Sequence, residues 1–177
     1  MKTINDIEIT SQNLENENYK YQPKLTEKLD KINSDYDQNI LNEIVLWKVN
    51  RFVEFDQETL QLLNNIKKTE KDFNAESTDI ILQKLLNTHG IQLAMASTIL
   101  RFKNPNVYQI IDQRVYRFIY GENMPSYFGT VESQIKLYIE YIKKLRGICN
   151  EKNIEYQHSD RILYQLDKEY NKDDKLH

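Results

Sequence analysis

Two features of this chain could do chemistry: an aspartate at the start of a helix, and a glycine turn 22 residues before it. Asp112 follows the mainly apolar run Tyr108-Gln109-Ile110-Ile111 and opens an amphipathic stretch that ends near Gly121. An aspartate in that place is a favoured N-cap, because its carboxylate accepts hydrogen bonds from the first free helix N–H groups, worth roughly 1 kcal/mol. The same placement suits catalysis, since helix dipole and N–H donors favour the charged form of a carboxylate. Such a group can stabilise a cation that develops beside it, or orient an attacking water. Gly90 sits between two apolar-periodic segments in Leu85-Leu86-Asn87-Thr88-His89-Gly90-Ile91-Gln92-Leu93. A tight turn there, centred on glycine, would expose backbone N–H groups and the positive end of the following helix to an anion. An ordinary antiparallel helix pair joined by a glycine turn fits the same residues.

These residues need elements to hold them. Pro23 opens a short helix over 24–32, and Asp37 caps one reaching about Arg51, with Ile40, Leu41, Ile44, Val45 and Val49 at helical spacing. Gln57 to Lys68 and a helix capped by Ser77 lead to the hairpin. Leu93 to Phe102 is its second helix, and Asp112 to Gly121 follows a short connection containing Pro105. Thr130 or Val131 starts a long helix to about Asn150, with Val131, Ile135, Tyr138, Ile142 and Leu145 on one stripe. Ser159 to Tyr170 is the last helix. The expectation is an all-α protein of about eight helices. Residues 1–22 read as a flexible N-terminal extension, 23–172 as a single helical domain with its chemistry in 77–121, and 173–177 as a charged tail.

Composition narrows the class. Only 4 Gly and 3 Pro in 177 residues favour helices over a turn-rich β fold. No apolar run reaches the roughly 18 residues of a membrane span, and the N-terminus lacks a signal-peptide core, so a cytoplasmic protein is expected. The single cysteine, Cys149, excludes an internal disulfide and a cysteine-ligated cluster. His89, His158 and His177 lack metal-ligand spacing, so neither metal nor cofactor is expected. The net charge of −3 argues against a nucleic-acid partner, but its distribution does not. From Lys84 to Tyr120, five bases (Lys84, Arg101, Lys103, Arg114, Arg117) stand against Asp112 alone, so the rest of the chain carries −7. A local electropositive face on an acidic body is one reading, and a solvated helix face is the other.

Together, hairpin and aspartate resemble the helix-hairpin-helix (HhH-GPD type) DNA glycosylase superfamily, which includes endonuclease III and the alkyladenine and oxoguanine glycosylases. The hairpin of that family often reads Leu-Pro-Gly-Val-Gly-x-Lys-Thr-Ala, and Gly90 matches its first glycine. The family's apolar-apolar-Asp-x-x-Val pattern is matched by Ile110-Ile111-Asp112-Gln113-Arg114-Val115. The specific likeness covers about 35 residues. It implies an N-glycosidic hydrolase acting on a damaged or modified base, with Asp112 catalytic and duplex DNA as the partner. His89, Gly90, Ile91, Gln92, Arg101, Lys103 and Arg114 would contact the DNA. A flipped base needs an aromatic-walled pocket, for which Trp47 and Tyr116 are candidates by position, with Tyr120 and Tyr127 behind them; a tryptophan placed as Trp47 is more often a core residue. The sequence departs from the family in three places. Gln92 replaces the second hairpin glycine. Ala94 stands at the lysine position, 18 residues before Asp112, so lyase chemistry there is not implied and a monofunctional enzyme is. The iron–sulfur cysteines of some members are absent. A non-catalytic DNA-binding module of the same fold and a helical scaffold are the alternatives.

Overall fold

A computed structural model of the chain describes residues 21–125 and 129–174. Tyr127 and His177 lie outside them. Eight α-helices and one 3-10 turn make up the described residues, with no strand among them. In chain order the helices are α1 Pro23–Asp30, α2 Gln38–Lys48, α3 Gln57–Asn65, α4 Ala75–Leu86, α5 Leu93–Lys103, α6 Gln113–Tyr120, α7 Val131–Lys152 and α8 Ser159–Tyr170. None is long and apolar enough to cross a membrane.

The chain divides between Phe52 and Val53 into two compact units, where the sequence suggests one domain over 23–172. In the first, α1 and α2 pack together. The Trp47 indole N–H donates to Thr26 Oγ1 at 2.8 Å, and the Tyr21 ring meets Trp47 edge-on at a centroid distance of 5.1 Å. Trp47 thus has the apolar contact and the polar partner that a half-buried tryptophan requires. Leu25 is buried in this unit, while Leu41, Val45 and Val49 of α2 are exposed.

In the second unit, α4 packs on α3, α5 and α7, and α6 packs on α8. Leu82, Leu85, Leu100, Ile142 and Leu145 are fully buried. With Ile81, Leu93, Ala96, Ile135 and Tyr138, also buried, they recur at spacings of three and four, which places them on a single face of each helix. Local sequence sets most of the ends. Asp56 and Thr130 cap α3 and α7 through their side chains. Gly121 ends α6 in the left-handed conformation, φ 74°, as a C-terminal glycine does. Two boundaries differ from the sequence expectation. Asn74, not Ser77, caps α4, and its side chain accepts from the Ser77 N–H at 2.9 Å. α3 stops at Asn65 rather than Lys68, and the buried Asn104 amide donates to carbonyls beyond its end, those of Lys67 (2.8 Å) and Glu70 (3.0 Å).

The connection from α5 to α6, residues 104–112, positions the aspartate. It has no helical or sheet ladder of its own, so its backbone groups need other partners. Side chains supply them. Tyr138 Oη donates to Gln109 O (2.9 Å) and Tyr141 Oη to Ile110 O (2.7 Å). Arg146 donates to the carbonyls of Asn106 and Val107. Both tyrosines are completely buried, which pushes their hydroxyls well above the ordinary tyrosine range and keeps them donors.

Candidate functional site

The hairpin connects α4 to α5 through residues 87–92. Gly90 has φ 86°, a value that costs an L-residue with a Cβ roughly 1–2 kcal/mol, so glycine is needed here for conformation. The Ile91 N–H closes the turn on Thr88 O at 3.1 Å. The Ile91 side chain is buried. Ile91 is therefore spent on the fold, N–H and side chain alike, and does not reach outward to a phosphate. His89, Gly90 and Gln92 are exposed. Gln92 is the N-cap residue of α5, but its side chain makes no capping bond. The first bond of the helix runs from Ala96 N to Gln92 O. The amides of Leu93 and Ala94 precede it and have no acceptor among the described residues, so the positive end of α5 is open.

Asp112 caps α6, as its position in the sequence suggests. Oδ1 accepts from Arg114 N at 2.8 Å and from Val115 N at 3.4 Å. Oδ2 has no donor among the described residues. The half-buried carboxylate lines two clefts. One, of about 520 Å3, also takes in Gln92, Leu93, Ala94, Arg114, Met124 and Tyr164. The other, of about 360 Å3, is bounded by Ile110, Val115, Asp160, Arg161, Tyr164 and Gln165. The open end of the hairpin helix and Asp112 therefore share a cleft. Tyr164 borders both. It is the aromatic that the sequence reading misses: with 12 tyrosines in the chain, nothing local marks one on α8 as a neighbour of Asp112.

The two aromatics expected at a base pocket make other contacts. Tyr116 is 4% exposed, stacks on Tyr120 at 4.3 Å and lines neither cleft. One helical turn past the cap, its side chain turns into the core. Trp47 is tied to Thr26 and Tyr21 in the first unit.

Four of the five basic residues pair with acids, Lys84 at the surface and the three arginines at buried or part-buried sites. Lys84 pairs with Glu58 at 2.6 Å. Arg101, expected at DNA, is 6% exposed; its guanidinium sits 3.2 Å from Asp160 and donates to Gln157 O. The Nε–H is not aimed at the carboxylate, so this contact is one of charge more than of hydrogen bonding, and Asp160 Oδ2 has no hydrogen-bond donor. Arg117 chelates the fully buried Asp167 at 2.7 and 2.9 Å, and Arg114 joins the same carboxylate at 3.1 Å. Arg114 keeps part of its guanidinium exposed at the cleft. Lys103 bonds only Asn64, but it is the last residue of α5, about 15 Å along the helix from the hairpin. The local excess of positive charge in the sequence is thus mostly neutralised by acids brought in from elsewhere in the chain.

Cys149 is buried, and burial raises its thiol above the ordinary value. Among the described residues no group of three or more His, Cys, Asp or Glu is placed to hold a metal ion. Comparison of the chain with known protein families, with characterised proteins and with solved structures finds no match.

Proposed function

We propose that this protein is a helix-hairpin-helix-type DNA glycosylase that hydrolyses the N-glycosidic bond of a damaged or modified base. The observation that carries the reading is the shared cleft: Asp112 and the open N-terminus of α5, including Ala94, line the same cavity. In this reading a DNA phosphate rests against the Leu93 and Ala94 amides, and Arg114 adds charge at its side. The target sugar then lies beside Asp112. As the base departs, positive charge develops on the sugar, and the ionised carboxylate stabilises it or directs water to it. Ala94 offers no amine, so the products are a free base and an intact abasic site. The test is base release from a panel of duplexes carrying uracil, oxidised, alkylated and hypermodified bases, with excess protein and alkaline cleavage of abasic sites, beside Asp112→Asn. Release from none of them would remove the enzymatic reading.

A second reading, a helical scaffold without a nucleic-acid role, draws on the pairing of Lys84, Arg101, Arg114 and Arg117 with acids of the same chain. One substitution separates the two. Gln92→Asp supplies the missing cap of α5, and should raise the melting temperature by about 3 °C through roughly 1 kcal/mol of capping. It also sets a negative charge where the phosphate would bind, so salt-sensitive duplex affinity should fall severalfold. A more stable variant with unchanged affinity would move the DNA contact away from the hairpin. No duplex binding by the unaltered protein would favour the scaffold.

A further inference from the structure

The hairpin helix and the Asp112 segment are joined by one hydroxyl. Ser97, on α5, is completely buried. Its Oγ donates to Ala94 O at 2.8 Å and accepts from the Ile111 N–H at 3.2 Å. The first partner belongs to the helix turn that lines the larger cleft. The second is the backbone of the residue before Asp112, and Ile111 lines that cleft too. On the next residue back, Ile110 O takes the Tyr141 hydroxyl at 2.7 Å. Two consecutive residues ahead of Asp112 are therefore held from two sides, by α5 through Ser97 and by α7 through Tyr141. Neither bond is needed to complete a helix, and Ser97 has few other roles, since a serine inside a helix gains little from bonding its own preceding turn.

We infer that Ser97 is a positioning residue that sets the distance between the open end of α5 and the Asp112 carboxylate, with Tyr141 as its counterpart on the opposite side. The inference rests on the glycosylase reading for its effect on rate, and on geometry alone for its effect on the segment. A hydroxyl bound at both ends cannot be lost without freeing a buried N–H and a strand of chain that has no ladder of its own. Displacements of about 1 Å in a reacting group can cost on the order of 100-fold in rate.

Ser97→Ala removes one atom and suits helix and core alike, so the variant should fold; Tyr141→Phe is the second, independent variant. Three quantities are measured on each: the single-turnover rate of base release, duplex affinity, and hydrogen exchange at the Ile111 amide. A rate lowered at least tenfold at unchanged affinity, with Ile111 exchange at least tenfold faster in Ser97→Ala, is the expected result. Unchanged rates in folded variants would overturn the inference, as would rate and affinity falling together, which marks a general structural role. If the unaltered protein releases no base, the glycosylase reading falls by itself. Ile111 exchange then decides the inference: faster exchange upholds the positioning of the segment, and unchanged exchange overturns it.

Discussion

Asp112→Asn should lower base release on the order of 1,000-fold while leaving the protein folded and its duplex affinity equal or higher. Asparagine is as good an N-cap as aspartate. Its side-chain oxygen can take the same bonds from Arg114 N and Val115 N that Asp112 Oδ1 accepts. What the change removes is the carboxylate's negative charge, shared with Oδ2, the oxygen without a donor among the described residues. A purely structural aspartate would therefore show almost nothing: the same melting temperature, the same affinity, the same rate. A catalytic one would show an isolated loss of rate. Affinity should not fall, because the carboxylate repels DNA phosphate in the ground state and helps only as the sugar becomes cationic. Equal release by the variant and the unaltered protein would sink the mechanism. The measurement is single-turnover release on whichever duplex the panel identifies.

The largest expected effect on stability lies at Asp167. Asp167→Ala should cost roughly 3 kcal/mol and lower the melting temperature by about 10 °C. Its carboxylate is fully buried and gathers Arg117, Arg114 and Asn171, tying α6 to α8. Removing it leaves the Arg117 guanidinium, itself 8% exposed, without its counter-charge. Arg117 would keep only its bonds to the carbonyls of Asn171 and Asp174, which suit a cation but do not neutralise it. The pH dependence has a definite sign. Burial pushes the Asp167 carboxyl up, but the hydrogen bonds of Arg117, Asn171 and Arg114 outweigh it and hold the group below its ordinary value of 3.8. A folded value below the unfolded one means the stabilisation is complete above 3.8 and is lost as the pH falls through the folded value. Melting curves of the unaltered protein and Asp167→Asn should therefore be well separated at neutral pH and converge below about pH 3.8. A gap that persists in acid would assign the stabilisation to packing instead of charge. The same substitution also bears on the site. Arg114 is held at the cleft by Asp167, so freeing it should alter duplex affinity beyond what destabilisation explains.

How far the sequence could be read depends on the range of the interaction. Helix existence and most helix ends follow from neighbours within four residues: Asp112, Asp56 and Thr130 cap what they precede, and Gly121 ends what it follows. The turn at Gly90 is equally local, because positive φ is a property of one residue. The roles of Arg101 and Tyr116 were beyond local reading. A basic residue in a run poor in acids looks available, yet the acid that neutralises Arg101 is Asp160, 59 residues on. Tyr116 follows Asp112 by a single turn, but the direction of its ring is set by the core it meets.

The sequence by itself determined an all-α chain, the glycine hairpin and an aspartate at the head of a helix, because periodicity, capping and backbone sterics act over a few residues. Only the tertiary structure decided that the aspartate and the open end of α5 share a cleft, that Tyr164 borders it, that Ser97 and Tyr141 hold the segment between them, and that Arg101, Arg114 and Arg117 pair with acids from α8. Each of those outcomes joins groups that meet only when helices pack. Burial then drives most polar atoms to a partner wherever in the chain one lies.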